Sequence, residues 1–179
     1  MYLWTAVDVD EPLEKFREKV AWATQKAGIP NTALTLPLHI SLRISFPLDD
    51  SLFMEAVSRI SEYYQTLSSF YVEVQEIEQN GTVVWIKMKK NEELDRIHKD
   101  LVDLFLREYK VQPHAYDLAF CYHSTLWIGT DETKAKEVYA ALRQEELPER
   151  LPAKKFVIGC SESGRAGEFR VIREFITSN

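Results

Sequence analysis

The sequence predicts an α+β protein of two related lobes, each a β-sheet with helices on one face. Three observations support this prediction. The hydrophobic pattern alternates between a period of two residues and a period of about 3.6 residues, which indicates strands separated by helices. The order strand–helix–strand–hairpin occurs twice, without sequence identity between the two copies. A length of 179 residues, 45% of them hydrophobic and 28% charged, is typical of one globular domain.

The first copy of this order lies in the N-terminal half. Gly28 and Pro30 end its first helix, and Asn80-Gly81 is typical of a two-residue turn between paired strands. The predicted elements are a strand at 2–8, a helix at 11–27, a strand at 38–46, a helix at 51–67 and strands at 70–78 and 82–89.

The second copy lies in the C-terminal half, where Gly164 and Gly167 mark the turn between the last two strands. The predicted elements are a helix at 91–109, a strand at 119–129, a helix at 132–146 and strands at 154–161 and 168–176. No Pro-, Gly- or Ser-rich stretch is long enough to be a linker, so we expect a single domain over residues 1–179.

Composition limits the partners of this protein. Its 22 Lys and Arg against 28 Asp and Glu give a net charge of −6, which argues against coating long nucleic acid but allows a small ligand that carries one phosphate. The sequence starts without a basic and apolar leader pattern, and its apolar runs are too short to cross a membrane. We therefore expect a cytoplasmic protein that does not enter membranes.

Two predicted strands carry the residues that suggest chemistry. Side chains alternate across a strand, so the strand at 38–46 has an apolar face and a polar face. The core face holds Leu38, Ile40, Leu42, Ile44 and Phe46, and the opposite face holds His39, Ser41, Arg43 and Ser45. In the strand at 119–129, one face holds His123, Thr125 and Trp127. Each strand thus presents a His and, about 7 Å further along, a hydroxyl that points the same way.

The duplication makes this pattern informative. Two of only four histidines fall in the same His-x-Ser/Thr pattern on equivalent strands. Histidine is the usual acid–base group near neutral pH, which favours a catalytic pair. The alternative is two half-exposed strand histidines beside ordinary hydroxyl neighbours.

The tetrapeptides His39-Ile40-Ser41-Leu42 and His123-Ser124-Thr125-Leu126 resemble the paired motifs of the 2H phosphoesterase superfamily. Its members include LigT-like 2′-5′ RNA ligases and 2′,3′-cyclic nucleotide phosphodiesterases. The resemblance implies two pseudo-symmetric, intertwined lobes whose antiparallel sheets, with helices on their outer faces, form a central groove. It also implies that the motifs face each other across that groove and perform phosphodiester chemistry without a metal.

The residue types suit that chemistry. Opening a cyclic phosphate needs a base to deprotonate water and an acid to protonate the leaving ribose oxygen, and His39 and His123 can supply both. The hydroxyls of Ser41 and Thr125 can donate to the phosphate oxygens in the transition state. No cluster has metal-ligand spacing, so we expect no metal and no cofactor. The sequence leaves open which His is the acid.

Other side chains are weaker candidates for the site. Arg43 either grips a phosphate or a base, or is a solvated strand residue. Three tryptophans on polar strand faces either stack on a nucleobase or pack within the protein: Trp4, Trp85 and Trp127. His98 and His114 lack the hydroxyl two residues later, and we expect both to face solvent.

Three functions remain open at this stage. The first is a metal-independent phosphodiesterase that acts on a 2′,3′-cyclic phosphate or a 2′-5′ linkage of a small nucleotide or an RNA end. The second is an RNA-end ligase that uses the same two histidines in the reverse direction. The third is a non-catalytic nucleotide- or RNA-binding module. In each case we expect a monomer.

Overall fold

The computed structural model describes residues 1–28 and 30–177, which form two four-stranded antiparallel sheets and four α-helices. The first sheet has the order β2-β1-β7-β8 and the second the order β5-β4-β3-β6. The strands are β1 (Tyr2–Asp8), β2 (His39–Pro47), β3 (Phe70–Asn80), β4 (Val83–Met88), β5 (His123–Ile128), β6 (Arg150–Ala153), β7 (Lys155–Ser161) and β8 (Arg170–Ile176). The helices are α1 (Glu14–Ala27), α2 (Asp50–Tyr64), α3 (Glu92–Tyr109) and α4 (Glu132–Leu142).

Helix starts follow local signals in the sequence. Asp49, Asn91 and Asp131 stand immediately before α2, α3 and α4, and the side chain of each accepts a backbone N–H of the first turn. Two of the three short 3₁₀ helices in the described residues also have a side-chain cap: the first loop helix, Thr32–Thr35, precedes β2, and the second loop helix, Ala115–Ala119, precedes β5. The third, Glu11–Leu13, precedes α1. None of the described helices is long and apolar enough to span a membrane.

The two lobes exchange a helix. Helix α1 follows β1 of the first sheet in sequence, but it packs with α4 against β5 of the second sheet. Helix α3 follows β4 of the second sheet, but it packs against β2 of the first. One hydrophobic cluster runs through both lobes, so the exchanged helices share a common core. The prediction of two pseudo-symmetric lobes with helices on their outer faces is therefore confirmed.

Two element ends differ most from the sequence prediction, and one strand is missed. The strand predicted at 119–129 begins only at His123, because the second loop helix ends at Ala119 and the next three residues are irregular; the helix predicted at 132–146 ends at Leu142. Strand β6 is not predicted from the sequence. It is a four-residue edge strand that contains Pro152, and only its pairing with β3 identifies it as a strand.

Both motif strands contain a β-bulge at equivalent positions. In β2, Ser41 pairs with Ala6 and Arg43 with Thr5, so Leu42 is an extra residue. In β5, Thr125 pairs with Trp85 and Trp127 with Val84, so Leu126 has no partner on β4. A bulge reverses the alternation of side chains beyond it. As a result Arg43 and Trp127 turn toward the interior, where they are 2% and 0% exposed.

Gly129 accommodates the buried Trp127. A Cβ at position 129 would lie 2.4 Å from Cη2 and 2.6 Å from Cζ2 of the indole, closer than real contacts allow. The ring therefore packs against a backbone position that has room for hydrogen only.

We expect Gly129→Ala to lower the free energy of unfolding by about 1–3 kcal/mol, because the added methyl overpacks the core. In a Trp127→Phe background the cost of Gly129→Ala should shrink, since phenylalanine lacks the two clashing ring atoms. Urea denaturation of the two single variants and the double variant measures this coupling. Additive effects would contradict the proposed contact.

Candidate active site

The two motif strands meet in the middle of the molecule. Strands β2 and β5 are edge strands of different sheets, and Cα atoms of the two come within 8 Å of each other. Each loop helix packs against the motif strand that it does not precede. The first loop helix packs against β5 and the second against β2. Each lobe thus holds the motif strand of its partner lobe.

His39 and His123 have matching hydrogen bonds. Nδ1 of His39 lies 2.8 Å from the carbonyl oxygen of Pro37, and Nδ1 of His123 lies 2.8 Å from that of Cys121. A carbonyl only accepts hydrogen bonds, so Nδ1 carries the hydrogen in both rings. In the neutral imidazole, Nε2 is then the nitrogen with a lone pair, and it is free to exchange a proton with a ligand.

A tryptophan from the neighbouring strand supports each of these rings. Trp4 lies edge-on to His39 with ring centroids 4.5 Å apart, and its Nε1 donates to the hydroxyl of Ser41 at 3.2 Å. Trp85 lies beside His123, also with centroids 4.5 Å apart, and its Nε1 donates to Glu78 at 3.2 Å. Trp4 is 5% exposed, so it offers little free surface for stacking on a base.

Burial lowers the pKa of both histidines. Desolvation is the main cause of the low pKa of His39, about 4, and the charge of His123 lowers it further; the carbonyl of Pro37 and the carboxylates of Asp8 and Asp10 oppose the shift. Desolvation also lowers the pKa of His123, against the carbonyl of Cys121. Both rings are therefore mainly neutral at pH 7 without a ligand.

The structure brings together most, but not all, of the predicted site residues. Ser41 and Thr125 share the half-buried face of their strands with His39 and His123, while the residues between them are buried. The predicted position of Arg43 on that face is wrong.

The bulge moves Arg43 away from the groove. Its guanidinium lies 4.2 Å from the ring centre of Phe46 and 5.1 Å from that of Phe105, and its Nε is 3.8 Å from a carboxylate oxygen of Asp117. Burial lowers the pKa of Arg43, and Asp117 opposes this effect. Arg43 therefore ties β2 to the second loop helix. Trp127 is also a core residue, so it packs within the protein and is not available to stack on a nucleobase.

Sequence reasoning missed two side chains next to the motifs. His98, predicted to face solvent, is only 8% exposed, and its ring nitrogens lie 2.9 Å from the carbonyl oxygen of Leu42 and 3.0 Å from that of Asp117. Asn31 bonds the backbone of β5. Its position at the start of the first loop helix is a readable N-cap signal, but nothing in the sequence indicates the contact with β5. His114 is exposed, as predicted.

A cleft of about 610 Å³ opens beside the strand of His39. Asp8 and Pro37, which flank that histidine, line it together with the apolar side chains of Leu36 and Phe169. Its lining holds five carboxylates against three basic side chains, so its charge does not favour a further phosphate. Across residues 1–28 and 30–177, no three His, Cys, Asp or Glu side chains are grouped to hold a metal ion.

A family model described as the 2′-5′ RNA ligase superfamily matches residues 4–164. The chain belongs to this superfamily. The predicted resemblance of the chain to the 2H phosphoesterase superfamily is thereby confirmed.

Solved structures show the same fold. The 2H phosphoesterase chain is similar to E. coli LigT complexed with NADP+, with a TM-score of 0.58 and 16% identity over 99% of this chain and 97% of LigT. It is also similar to TT0787 of Thermus thermophilus, with a TM-score of 0.63 and 19% identity over 98% and 97% of the two chains. None of the curated proteins matches this chain.

The low pKa of His39 predicts a pH-dependent stability. Between pH 6.5 and about 4 the unfolded chain binds the proton of this residue while the folded chain does not. The contribution of His39 to the free energy of unfolding is therefore greatest above pH 6.5. It decreases as the pH falls toward 4, by up to about 3 kcal/mol. We expect His39→Asn to flatten this part of the profile in urea unfolding measured from pH 7.5 to 4. The exposed His114→Asn is the control, and equal slopes in wild type and His39→Asn would contradict the prediction.

Proposed function

We propose that this 2H phosphoesterase is a metal-independent phosphodiesterase that hydrolyses a 2′,3′-cyclic phosphate or a 2′-5′ linkage in a small nucleotide or at an RNA end. The observation that carries the proposal is the matched pair of imidazoles. In both, Nδ1 is bound to the carbonyl oxygen two residues earlier, and Nε2 is left for proton exchange. One chain holds both groups, so a monomer is sufficient for catalysis.

The electrostatics favour His39 as the general base. A base must start neutral, and the pKa of His39 lies near 4 in the free protein. His39 then takes a proton from the attacking water as its oxygen bonds to phosphorus. His123 donates a proton to the ribose oxygen as the bond between that oxygen and phosphorus breaks. The negative charge of the bound phosphate favours the protonated form of His123 that this step requires.

Ser41 and Thr125 stabilise the charge that develops on the phosphate oxygens. The Ser41 oxygen already accepts the indole N–H of Trp4, so its own hydrogen is free to donate to a phosphate. Thr125 occupies the equivalent place after His123. Donors held in position before the reaction stabilise a transition state better than donors that must reorient.

A nucleotide substrate agrees with the comparisons. E. coli LigT has been solved with NADP+, with 3′-AMP and with ATP, each a phosphorylated nucleotide. The acidic cleft beside His39 suits an uncharged ribose or base better than a second phosphate. An RNA-end ligase would use the same two histidines in reverse, and the family description makes it the second candidate.

We expect a panel of 2′,3′-cyclic nucleotides and 2′-5′ dinucleotides to be hydrolysed in the presence of EDTA. His39→Ala and His123→Ala should each lower kcat/KM by about 10²–10⁴-fold, because each removes a proton-transfer group. His114→Asn, at an exposed histidine, is the control. Joining of RNA ends without hydrolysis would favour the ligase. Wild-type rates in either alanine variant would contradict the proposal.

The acid and base roles can be separated with a 4-nitrophenyl ester of a 2′-deoxynucleoside 3′-phosphate, in which water is the nucleophile because no 2′-hydroxyl can attack phosphorus. This leaving group departs without protonation, so the general acid becomes dispensable. We expect His123→Ala to regain most of its lost rate on the aryl ester relative to the cyclic phosphate, whereas His39→Ala should not. Recovery in His39→Ala instead would reverse the assignment.

A further inference from the structure

One backbone carbonyl in each motif strand stands directly after the motif hydroxyl, and both strands are edge strands with one side open to groups outside the sheet. Leu42 follows Ser41 and Leu126 follows Thr125, and neither leucine has a partner in its ladder. Each of these carbonyls is bound by a side chain from elsewhere in the chain. Nδ1 of His98 lies 2.9 Å from the oxygen of Leu42, and Nδ2 of Asn31 donates to the oxygen of Leu126 at 2.7 Å.

Asn31 binds β5 as a short stretch of neighbouring strand would. Besides its bond to Leu126, its Oδ1 accepts the backbone N–H of Ile128 at 3.3 Å. The same oxygen caps the first loop helix through the N–H of Ala33 at 3.0 Å. One amide thereby joins the segment that leads into His39 to the strand that carries His123.

His98 makes the reciprocal connection. It lies on α3, and besides the carbonyl of Leu42 it faces the carbonyl of Asp117 at 3.0 Å, while its ring stacks on Phe120 with centroids 4.4 Å apart. His98 thereby joins the strand of His39 to the segment that leads into His123.

We propose that Asn31 and His98 are positioning residues that fix the two motif strands relative to each other for catalysis. The inference rests on the proposed function. Each side chain holds the carbonyl next to a motif hydroxyl and also holds the segment that enters the opposite motif. Proton transfer to and from one phosphate tolerates only small displacements of the two imidazoles, so loss of either contact lowers the rate of the chemical step.

Asn31→Asp separates positioning from helix capping. Aspartate caps a helix as well as asparagine does, so a residue that only caps would tolerate the change. The carboxylate keeps the acceptor for Ala33 and Ile128, but it replaces the donor that binds Leu126 and sets a negative oxygen against that carbonyl. We expect kcat to fall at least tenfold while KM changes less than threefold.

Asn91→Asp is the matched control. Asn91 also caps a helix, and its amide also donates to a strand carbonyl, that of Tyr71 in β3, which carries no motif residue. We expect this variant to keep the wild-type kcat. Equal losses in Asn31→Asp and Asn91→Asp would overturn the positioning role.

Two substitutions test the bonds of His98 separately. Asparagine places an amide nitrogen near the position of Nδ1 and can keep the bond to Leu42, whereas glutamine reaches the position of Nε2 and can keep the bond to Asp117. We expect His98→Gln to lower kcat more than His98→Asn, because only the asparagine keeps its hold on the motif strand. The opposite order would contradict the role given to the Leu42 carbonyl.

A measurement without turnover keeps this inference distinct from the proposed function. NMR titration of the imidazoles reports the burial of His39 and the charge of His123 beside it, which together hold its pKa near 4. We expect Asn31→Ser, which keeps a capping oxygen and adds no charge, to move this pKa toward the ordinary value, with Asn91→Ser unchanged. If no substrate is turned over by the wild type, the proposed function fails while this test still applies. Titration curves of Asn31→Ser that match the wild type would overturn the inference.

Discussion

The β-bulge that follows each motif hydroxyl is the feature on which the rest of the site depends. A regular strand would continue its alternation and put Arg43 and Trp127 on the same face as the histidines. The extra residue, Leu42 or Leu126, reverses the alternation, so the strand presents two polar side chains to the groove and then turns inward. The carbonyls of these two leucines are bound by side chains from outside the sheet, at the open edge of each strand. The bulges therefore set the composition of the groove face, and the strand edges carry the contacts between the lobes.

The site combines desolvation with fixed hydrogen bonds. Each histidine is partly covered by a tryptophan from the neighbouring strand, and each has one nitrogen held by its own backbone. Burial keeps both rings mainly neutral in the free protein. In the reaction we propose, the negative charge of the bound phosphate stabilises the protonated imidazole, although the chain as a whole has a net charge of −6.

Much of the fold follows from local pattern. The starts of α2 to α4, the hairpin of β3 and β4 and the faces of β2 before its bulge agree with periodicity, caps and turn residues. The exchange of α1 and α3 between the lobes leaves no such signal, because an amphipathic helix shows which face is buried but not which sheet covers it. The four-residue strand β6 is too short to show a period, and its pairing with β3 decides its conformation.

The sequence by itself determined the paired motifs, the strands that carry them and their half-buried polar faces as far as Ser41 and Thr125. These depend on residues within a few positions of one another. Only the tertiary structure decided that Arg43 and Trp127 leave the groove, that Trp4 supports His39, and that His98 and Asn31 hold the motif strands. Asn31 and Leu126 are 95 residues apart, and His98 and Leu42 are 56 apart. Contacts over such separations form only after the chain has folded, and no local pattern records which donor reaches which carbonyl at a strand edge.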